Sequence, residues 1–169
     1  SDKIGMKKII ETAKDFKIGK YIDTNLSMSL GSGLVTLIDL TNAYAMIVNG
    51  GKDISPFLIT SVYNKSGKQI LNNDNKKCKM CRQFENDLDF NIPNIEREQI
   101  SILDSKIAYQ ITSMLEGVVL RGTGKKISEL NIPLGGKTGT TNDNKDAWFV
   151  GFSPDLAVGV YVGFDRPKT

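Results

Sequence analysis

The stretch Gly135-Gly136-Lys137-Thr138-Gly139-Thr140-Thr141 decides how this chain is expected to fold and what it is expected to bind. It combines one cation, several hydroxyls and three glycines in a segment with the character of a strand. Glycine weakens the interior of a strand, so Gly139 is expected where a ligand backbone lies too close to the sheet edge for a Cβ. The hydroxyls of Thr138 and Thr140 share one strand face because side chains alternate. Together with Lys137 they predict a groove for an anionic group.

Two other interpretations of this stretch compete with a ligand groove. The phosphate-binding loop G-x-x-x-x-G-K-[ST] matches at Gly136-Lys137-Thr138, but position 131 is Asn, and the residues that follow lead to a turn and a strand rather than a helix. This disfavours nucleotide binding. A Gly/Thr-rich strand edge with one solvated lysine fits the short motif equally well, so the rest of the chain must decide.

The last third of the chain has the pattern of three strands with short connections, which predicts an antiparallel meander. Apolar residues at helical spacing predict three helices that pack on this sheet. The predicted fold class is therefore α+β. The predicted strands span 134–141, 147–152 and 156–164, with connections at 142–146 and 153–155, and the predicted helices span 3–18, 36–48 and 101–119.

Start and stop signals accompany each predicted helix. Ser1 or Asp2 is the expected N-cap of the first helix, and Gly19 is its expected stop. The second helix is expected to begin with a capping-box variant at Thr36 to Asp39 and to end at Asn49-Gly50-Gly51. The third is expected to start at Ser101, three residues before Asp104, and Gly122-Thr123-Gly124 forces a loop after it. Residues 59–63 and 68–71 flank Asn64-Lys65-Ser66-Gly67 and predict a hairpin. The polar residues 72–94 predict an irregular surface insertion.

Composition excludes several classes of function. The formal net charge of +3 is spread along the chain, and its densest cluster, Lys76 to Arg82, lies among asparagines, which argues against a nucleic-acid surface. No run of about 18 apolar residues predicts a membrane span, and no basic-then-apolar leader is present. Histidine is absent, which excludes Ser-His-Asp and Cys-His catalysis and disfavours a zinc site.

The two cysteines form the motif Cys78-Lys79-Met80-Cys81. A metal site would need a second ligand pair, and a thioredoxin-like site would need a βαβ context. Two alternatives stay open, a redox pair and an incidental loop pair that closes a disulfide in an oxidising compartment.

Three blocks in the last third resemble the end of a class A, bifunctional, penicillin-binding protein. They are Gly136 to Asp143, Asp146 to Phe152 and Gly159 to Asp165. Earlier segments are similar to the helix and loop that precede a hairpin in that family, namely Ser29-Leu30-Gly31-Ser32, Val35-Thr36-Leu37, Ala43 to Met46 and Asn49-Gly50-Gly51. The resemblance weakens only at residues 72–100, and it implies that residues 1–169 are the C-terminal portion of a transpeptidase domain.

The resemblance also implies roles for residues of the K-T-G strand. Lys137 would belong to the charge network, and Thr138 and Thr140 would hold the carboxylate of a D-Ala-D-Ala stem peptide or a β-lactam, with Gly139 and Thr141 beside them. The backbone N–H of Thr140 would be half of an oxyanion hole. Trp148 has two possible roles, packing behind the sheet or contacting the substrate.

Two motifs of that family are missing from this sequence. No serine is followed by lysine at the third place, as in S-x-x-K, or by asparagine at the second, as in S-x-N. Since Ile4-Gly5-Met6 resembles the helix after S-x-N, and both ends of the sequence look cut, truncation is expected. The piece alone should then not acylate, because a serine without a lysine base is a poor nucleophile.

The resemblance finally implies a parent protein with an N-terminal anchor in the inner membrane, a glycosyltransferase domain, and this domain on the periplasmic face. It also implies that no metal or organic cofactor is needed, which agrees with the absence of histidine. A serine β-lactamase of the same superfamily, or a non-catalytic scaffolding module with the same fold, are the alternatives.

Overall fold

The computed structural model describes residues 3–18, 20, 22–74, 76–78, 95–97, 99–140 and 146–164. Helices and antiparallel sheets are both present, so the predicted α+β class is confirmed. The chain divides into two compact units, one formed by residues 1–54 with 101–169 and the other by residues 55–100. The helices are α1 (Met6–Asp15), α2 (Leu37–Val48) and α3 (Ser105–Arg121), and the strands are β1 (Ser61–Tyr63), β2 (Gln69–Asn72), β3 (Lys76–Cys78), β4 (Ile95–Arg97), β5 (Gly135–Thr140), β6 (Asp146–Phe152) and β7 (Ala157–Gly163).

The larger unit is built on the predicted meander, in which β6 lies between β5 and β7 and pairs antiparallel with both. Helix α3 packs against β5, and α2 packs against β7 and β6. Val150 and Phe152 of β6 are buried among these elements, at 3 % and 5 % exposure. The three-stranded sheet and its strand order therefore confirm the prediction from the last third of the sequence.

Helix α1 is shorter than the predicted 3–18. It begins at Met6, after Gly5 with φ 83°, and ends at Asp15, because Lys17 adopts a left-handed φ of 62°. The expected caps Ser1 and Asp2 and the stop Gly19 lie outside the described residues. Phe16 packs on Ala43 and Met46, so the end of α1 rests on α2 rather than on the sheet.

Helix α2 follows its sequence signals closely. The Thr36 hydroxyl accepts a hydrogen bond from the Asp39 backbone N–H at 3.1 Å and donates to the Asp39 carboxylate at 2.6 Å. Asn49 is the C-cap, and Gly50 and Gly51 follow with φ of 72° and 77°. Both the predicted N-cap and the predicted stop are confirmed.

Helix α3 begins four residues later than predicted, and the expectation that Ser101 starts it is wrong. Asp104 is the N-cap, and its carboxylate accepts from the Lys106 backbone N–H at 2.8 Å. Ser101 instead forms an isolated antiparallel bridge with Lys52, a long-range pairing that holds its backbone extended. The helix continues to Arg121, two residues beyond the predicted end.

Two 3₁₀ helices, Leu26–Leu30 and Lys125–Leu130, were not predicted. The second follows α3 and leads towards β5. Within the described residues, no helix combines the length and the apolar character that crossing a membrane requires.

The smaller unit contains the predicted hairpin of β1 and β2. The Asn64 side-chain oxygen accepts from the backbone N–H groups of Ser66 and Lys68 at 3.0 and 2.8 Å, which closes the predicted turn. The expectation that residues 72–94 are irregular is wrong at β3, which pairs antiparallel with β4. Cys78 ends β3, whereas Cys81 and the geometry of the cysteine pair lie outside the described residues.

Candidate active site

Strand β5 carries the predicted site and forms one edge of the described sheet. The Val150 carbonyl oxygen lies 2.9 Å from the position that a Cβ on Gly136 would occupy, so it points at β5. Lys137, the register partner of Val150, therefore turns its backbone groups towards β6. Backbone direction alternates along a strand, so Thr138 and Thr140 direct their N–H and C=O groups away from β6, towards the sheet edge.

The Lys137 side chain connects a sheet face with this edge. Lys137 is exposed and leaves the strand on the same face as its register partner Val150. Its Nζ donates a hydrogen bond to the Thr138 carbonyl at 2.7 Å, on the edge side of β5. The ammonium thus stands beside the outward-facing backbone of the strand, although Lys137 and Thr138 project from opposite faces.

The Thr138 side chain is half-buried and contacts Thr123, which was not among the predicted site residues. Its Oγ1 lies 3.1 Å from Thr123 Oγ1, in the loop after α3. The available signal was a hydroxyl residue between two glycines, Gly122 and Gly124. Local sequence patterns predict only a loop there, because 15 positions separate the two threonines.

Gly139 leaves an open patch next to an aromatic residue. A Cβ built there would lie 3.3 Å from the Trp148 Cβ, and among the described residues no other heavy atom beyond its chain neighbours lies within 4 Å. This open space agrees with room for a ligand. The expectation that a bound ligand would leave no room for a Cβ at Gly139 stays a prediction.

Trp148 packs within the sheet on the same face as Gly139. Its ring lies 4.8 Å from the ring of Tyr161, its register partner on β7, and the two planes are tilted by 55°. The Tyr161 hydroxyl donates to the Asp146 carboxylate at 2.9 Å, which fixes the second ring. Packing is one of the two predicted roles; substrate contact stays a prediction.

The structure brings Lys137, Thr138, Gly139 and Thr140 together along one strand, and Thr140 is exposed at its end. Thr141 lies outside the described residues. In the ranges that the structure describes, no group of three or more His, Cys, Asp or Glu residues could hold a metal ion.

An apolar cavity of about 190 Å³ lies near the start of β5. Its walls include Ile127, Leu134, Phe149 and Val158, and none of the predicted site residues lines it. The cavity is lined by apolar residues that include parts of the sheet and of the second 3₁₀ helix, and the polar edge of β5 is a separate feature.

Comparisons with known proteins agree with the resemblance seen in the sequence. The family model described as "Penicillin binding protein transpeptidase domain" matches residues 1–168. Penicillin-binding protein 1A of Rickettsia bellii is 45 % identical over 167 residues, which are 98 % of this chain and 21 % of that protein. The chain thus spans about a fifth of the curated relatives that it matches.

Solved structures show the same fold. The crystal structure of penicillin-binding protein 1A from Haemophilus influenzae has a TM-score of 0.74 at 26 % identity, over 98 % of this chain and 27 % of that one. Penicillin-binding protein 3 from Mycobacterium tuberculosis, complexed with ampicillin, has a TM-score of 0.66 at 18 % identity, over 96 % of this chain and 41 % of that one. With the family model matched along nearly the whole sequence, this chain belongs to the penicillin-binding protein transpeptidase domain family.

Proposed function

We propose that this chain supplies one wall of the active site of a peptidoglycan D,D-transpeptidase that cross-links stem peptides through a serine acyl-enzyme and binds β-lactams. The observation that carries the proposal is the edge of β5, where the Lys137 ammonium lies beside the outward-facing backbone of Thr138. The nucleophilic serine and its lysine are proposed to belong to the rest of the protein, since the chain covers about a fifth of its relatives.

The backbone of β5 suits acyl transfer in this proposal. Thr140 directs its N–H towards the sheet edge, so that this group can donate to the oxygen on which negative charge develops. An extended peptide can lie along the same edge and pair with the strand, as peptides do when they add to a sheet. Gly139 leaves space on one face of the strand for such a ligand.

The side chains of β5 suit an anionic ligand terminus. Thr138 and Thr140 share a face, and their hydroxyls can both donate to the carboxylate of a stem peptide or a β-lactam, with Thr141 following them. Lys137 contributes a positive charge at the edge, and hydrogen bonds to ionised groups are about twice as strong as neutral ones.

The proposed setting is the periplasmic face of the inner membrane, in a bifunctional synthase with a glycosyltransferase domain and an N-terminal anchor in the remainder of the protein. Its partners are the peptidoglycan stem peptide, β-lactams and the remainder of the transpeptidase domain. Neither nucleic acid nor a cofactor takes part.

Labelling of the full parent protein by fluorescent penicillin tests the role of the site. Lys137→Ala should slow labelling by about tenfold or more, the effect of losing one charge-assisted interaction. Lys106→Ala is the matched control, because Lys106 is also exposed and lies on α3. Equal labelling of the Lys137→Ala variant and the unaltered protein would exclude an active-site role for Lys137.

Two further measurements separate this function from its alternatives. Nitrocefin turnover by the parent would indicate a serine β-lactamase, and absence of any penicillin adduct on the parent would indicate a scaffolding module. The isolated chain should form no covalent β-lactam adduct in an intact-mass measurement, since none of its serines has a lysine at the third place. A stable adduct on the isolated chain would contradict the assignment of the nucleophile to the rest of the protein.

A further inference from the structure

A second threonine hydroxyl stands beside the proposed ligand-binding strand. Thr123 Oγ1 lies 3.1 Å from Thr138 Oγ1, and either atom can be the donor. Thr123 is exposed and Thr138 is half-buried, so the pair lies where the covered part of β5 meets solvent. The contact joins the loop after α3 to the strand that carries the proposed site.

The loop that carries Thr123 is held tightly on the last turn of α3. The backbone N–H groups of Gly122 and Gly124 both donate to the Val118 carbonyl, at 3.1 and 3.0 Å. A Cβ on Gly122 would lie 2.9 Å from that carbonyl oxygen, and one on Gly124 would lie 3.3 Å from it. The two glycines thus permit a close turn that fixes the backbone of Thr123 between them.

The number of protons in the pair determines which threonine must donate when a ligand is bound. Each hydroxyl has one proton to donate and two lone pairs to accept with. If Thr138 donates to the carboxylate of the ligand, it has no proton left for Thr123. Thr123 must then donate to Thr138 Oγ1, and accepting that bond polarises the Thr138 hydroxyl and makes it a stronger donor.

We propose that Thr123 is a positioning residue that orients and polarises the Thr138 hydroxyl towards the carboxylate of a stem peptide or β-lactam. The inference rests on the proposed function, because it takes Thr138 as the group that binds the carboxylate. Thr123 acts through Thr138 and does not touch the reacting atoms.

The effect belongs to ligand binding rather than to the chemical step. A ligand carboxylate keeps its charge throughout acylation, so a contact that supports it stabilises the ground state and the transition state equally. In the full parent protein, Thr123→Val should raise the dissociation constant of the initial penicillin complex by about twofold to tenfold, the net worth of one hydrogen bond. The acylation rate constant within the complex should stay unchanged.

Two companion variants separate lost chemistry from lost structure. Thr123→Ser keeps the hydroxyl and should retain the affinity of the unaltered protein. Thr112→Val is the matched control, because the Thr112 hydroxyl bonds only the Ala108 carbonyl of its own helix, at 2.9 Å, among the contacts the structure describes. It should leave the dissociation constant unchanged, and the thermal midpoints of all three variants show whether folding is affected.

A double-mutant cycle with Thr138→Val identifies the route of the effect. In the Thr138→Val background, adding Thr123→Val should cause no further loss of affinity. Three outcomes would overturn the positioning role while leaving the proposed function intact. They are an equal loss of affinity from Thr123→Val in both backgrounds, no loss of affinity from Thr123→Val, and a Thr123→Ser variant that binds as weakly as Thr123→Val. A Thr138→Val variant that binds penicillin normally would overturn the carboxylate contact itself, and with it both the role of Thr138 in the proposed function and the inference.

Discussion

Gly51 follows α2 and contacts the residues just before α3, and alanine at this position should destabilise the larger unit. Its φ is 77°, a conformation that L-residues rarely adopt. A Cβ there would overlap the Leu103 carbonyl oxygen and lie 2.8 Å from the Leu103 Cβ. The Gly51 carbonyl also accepts from the backbone N–H groups of Ile102 and Leu103 at 2.8 and 3.0 Å, so neither side can move without breaking these bonds.

Gly50 provides the control for this substitution, because alanine at position 50 costs only the free energy of a left-handed backbone conformation. Its φ of 72° is nearly the same, but a Cβ there would meet no heavy atom within 4 Å in the part of the chain that the structure describes. Gly50→Ala should therefore cost only the left-handed conformation, about 1–2 kcal/mol. Gly51→Ala should cost the same plus the overlap with the Leu103 backbone, about 1–3 kcal/mol more for overpacking.

The difference between the two variants is the quantity to measure. For a domain of this size, 1 kcal/mol shifts the unfolding midpoint by about 2–4 °C, so Gly51→Ala should melt about 2–12 °C below Gly50→Ala. Thermal unfolding of the purified protein, followed by circular dichroism, gives both midpoints. Equal midpoints would contradict this prediction, because they would mean that the Leu103 backbone moves away from the new Cβ without a cost in free energy.

Three further predictions concern single side chains. Thr36→Ala should lower the free energy of unfolding by about 1 kcal/mol in denaturant titrations, because the N-cap bond to the Asp39 backbone is lost, and Thr36→Ser should retain most of it. Burial raises the pKa of Tyr44 above 10.0, so Tyr44 ionises at a lower pH in the unfolded chain than in the folded one, and the stability of the fold should fall as pH rises past 10. Tyr44→Phe should reduce this loss of stability at alkaline pH, which unfolding midpoints measured against pH would show. Asn64→Ala should speed amide hydrogen exchange at Ser66 without changing exchange in α2 or α3, because the turn loses its side-chain acceptor.

Local sequence signals predicted the parts of the fold that depend on neighbouring residues. The cap at Thr36 and the turn at Asn64 each involve atoms two to four residues apart, so the sequence contains the whole interaction. The meander was predicted for the same reason, since short connections leave antiparallel pairing as the simplest arrangement.

Long-range contacts explain the error at Ser101 and the missed contact of Thr123. Serine is a residue type favoured at N-caps, but the backbone of Ser101 pairs with Lys52, and a local sequence pattern cannot predict that pairing. The contact between Thr123 and Thr138 was missed because it depends on α3 packing against β5. Of the proposed site, the motif could therefore be predicted from the sequence, whereas the loop that supports it could not.

The register between β5 and β6 determines what the proposed site presents to a ligand. Along β5, successive residues differ both in the face of their side chain and in the direction of their backbone groups, so a slip of one residue would exchange the roles of Lys137 and Thr138. Two glycines oppose such a slip. The Phe152 ring fills the space that a Cβ on Gly135 would occupy. A Cβ on Gly136 would lie 2.8 Å from the Phe149 ring. A slip that moved Lys137 into the place of Gly136 would drive its side chain into Phe149. The aromatic residues of β6 thus fix the face from which the Lys137 side chain leaves the strand, the opposite face for the two hydroxyls, and the edge position of the Thr140 backbone.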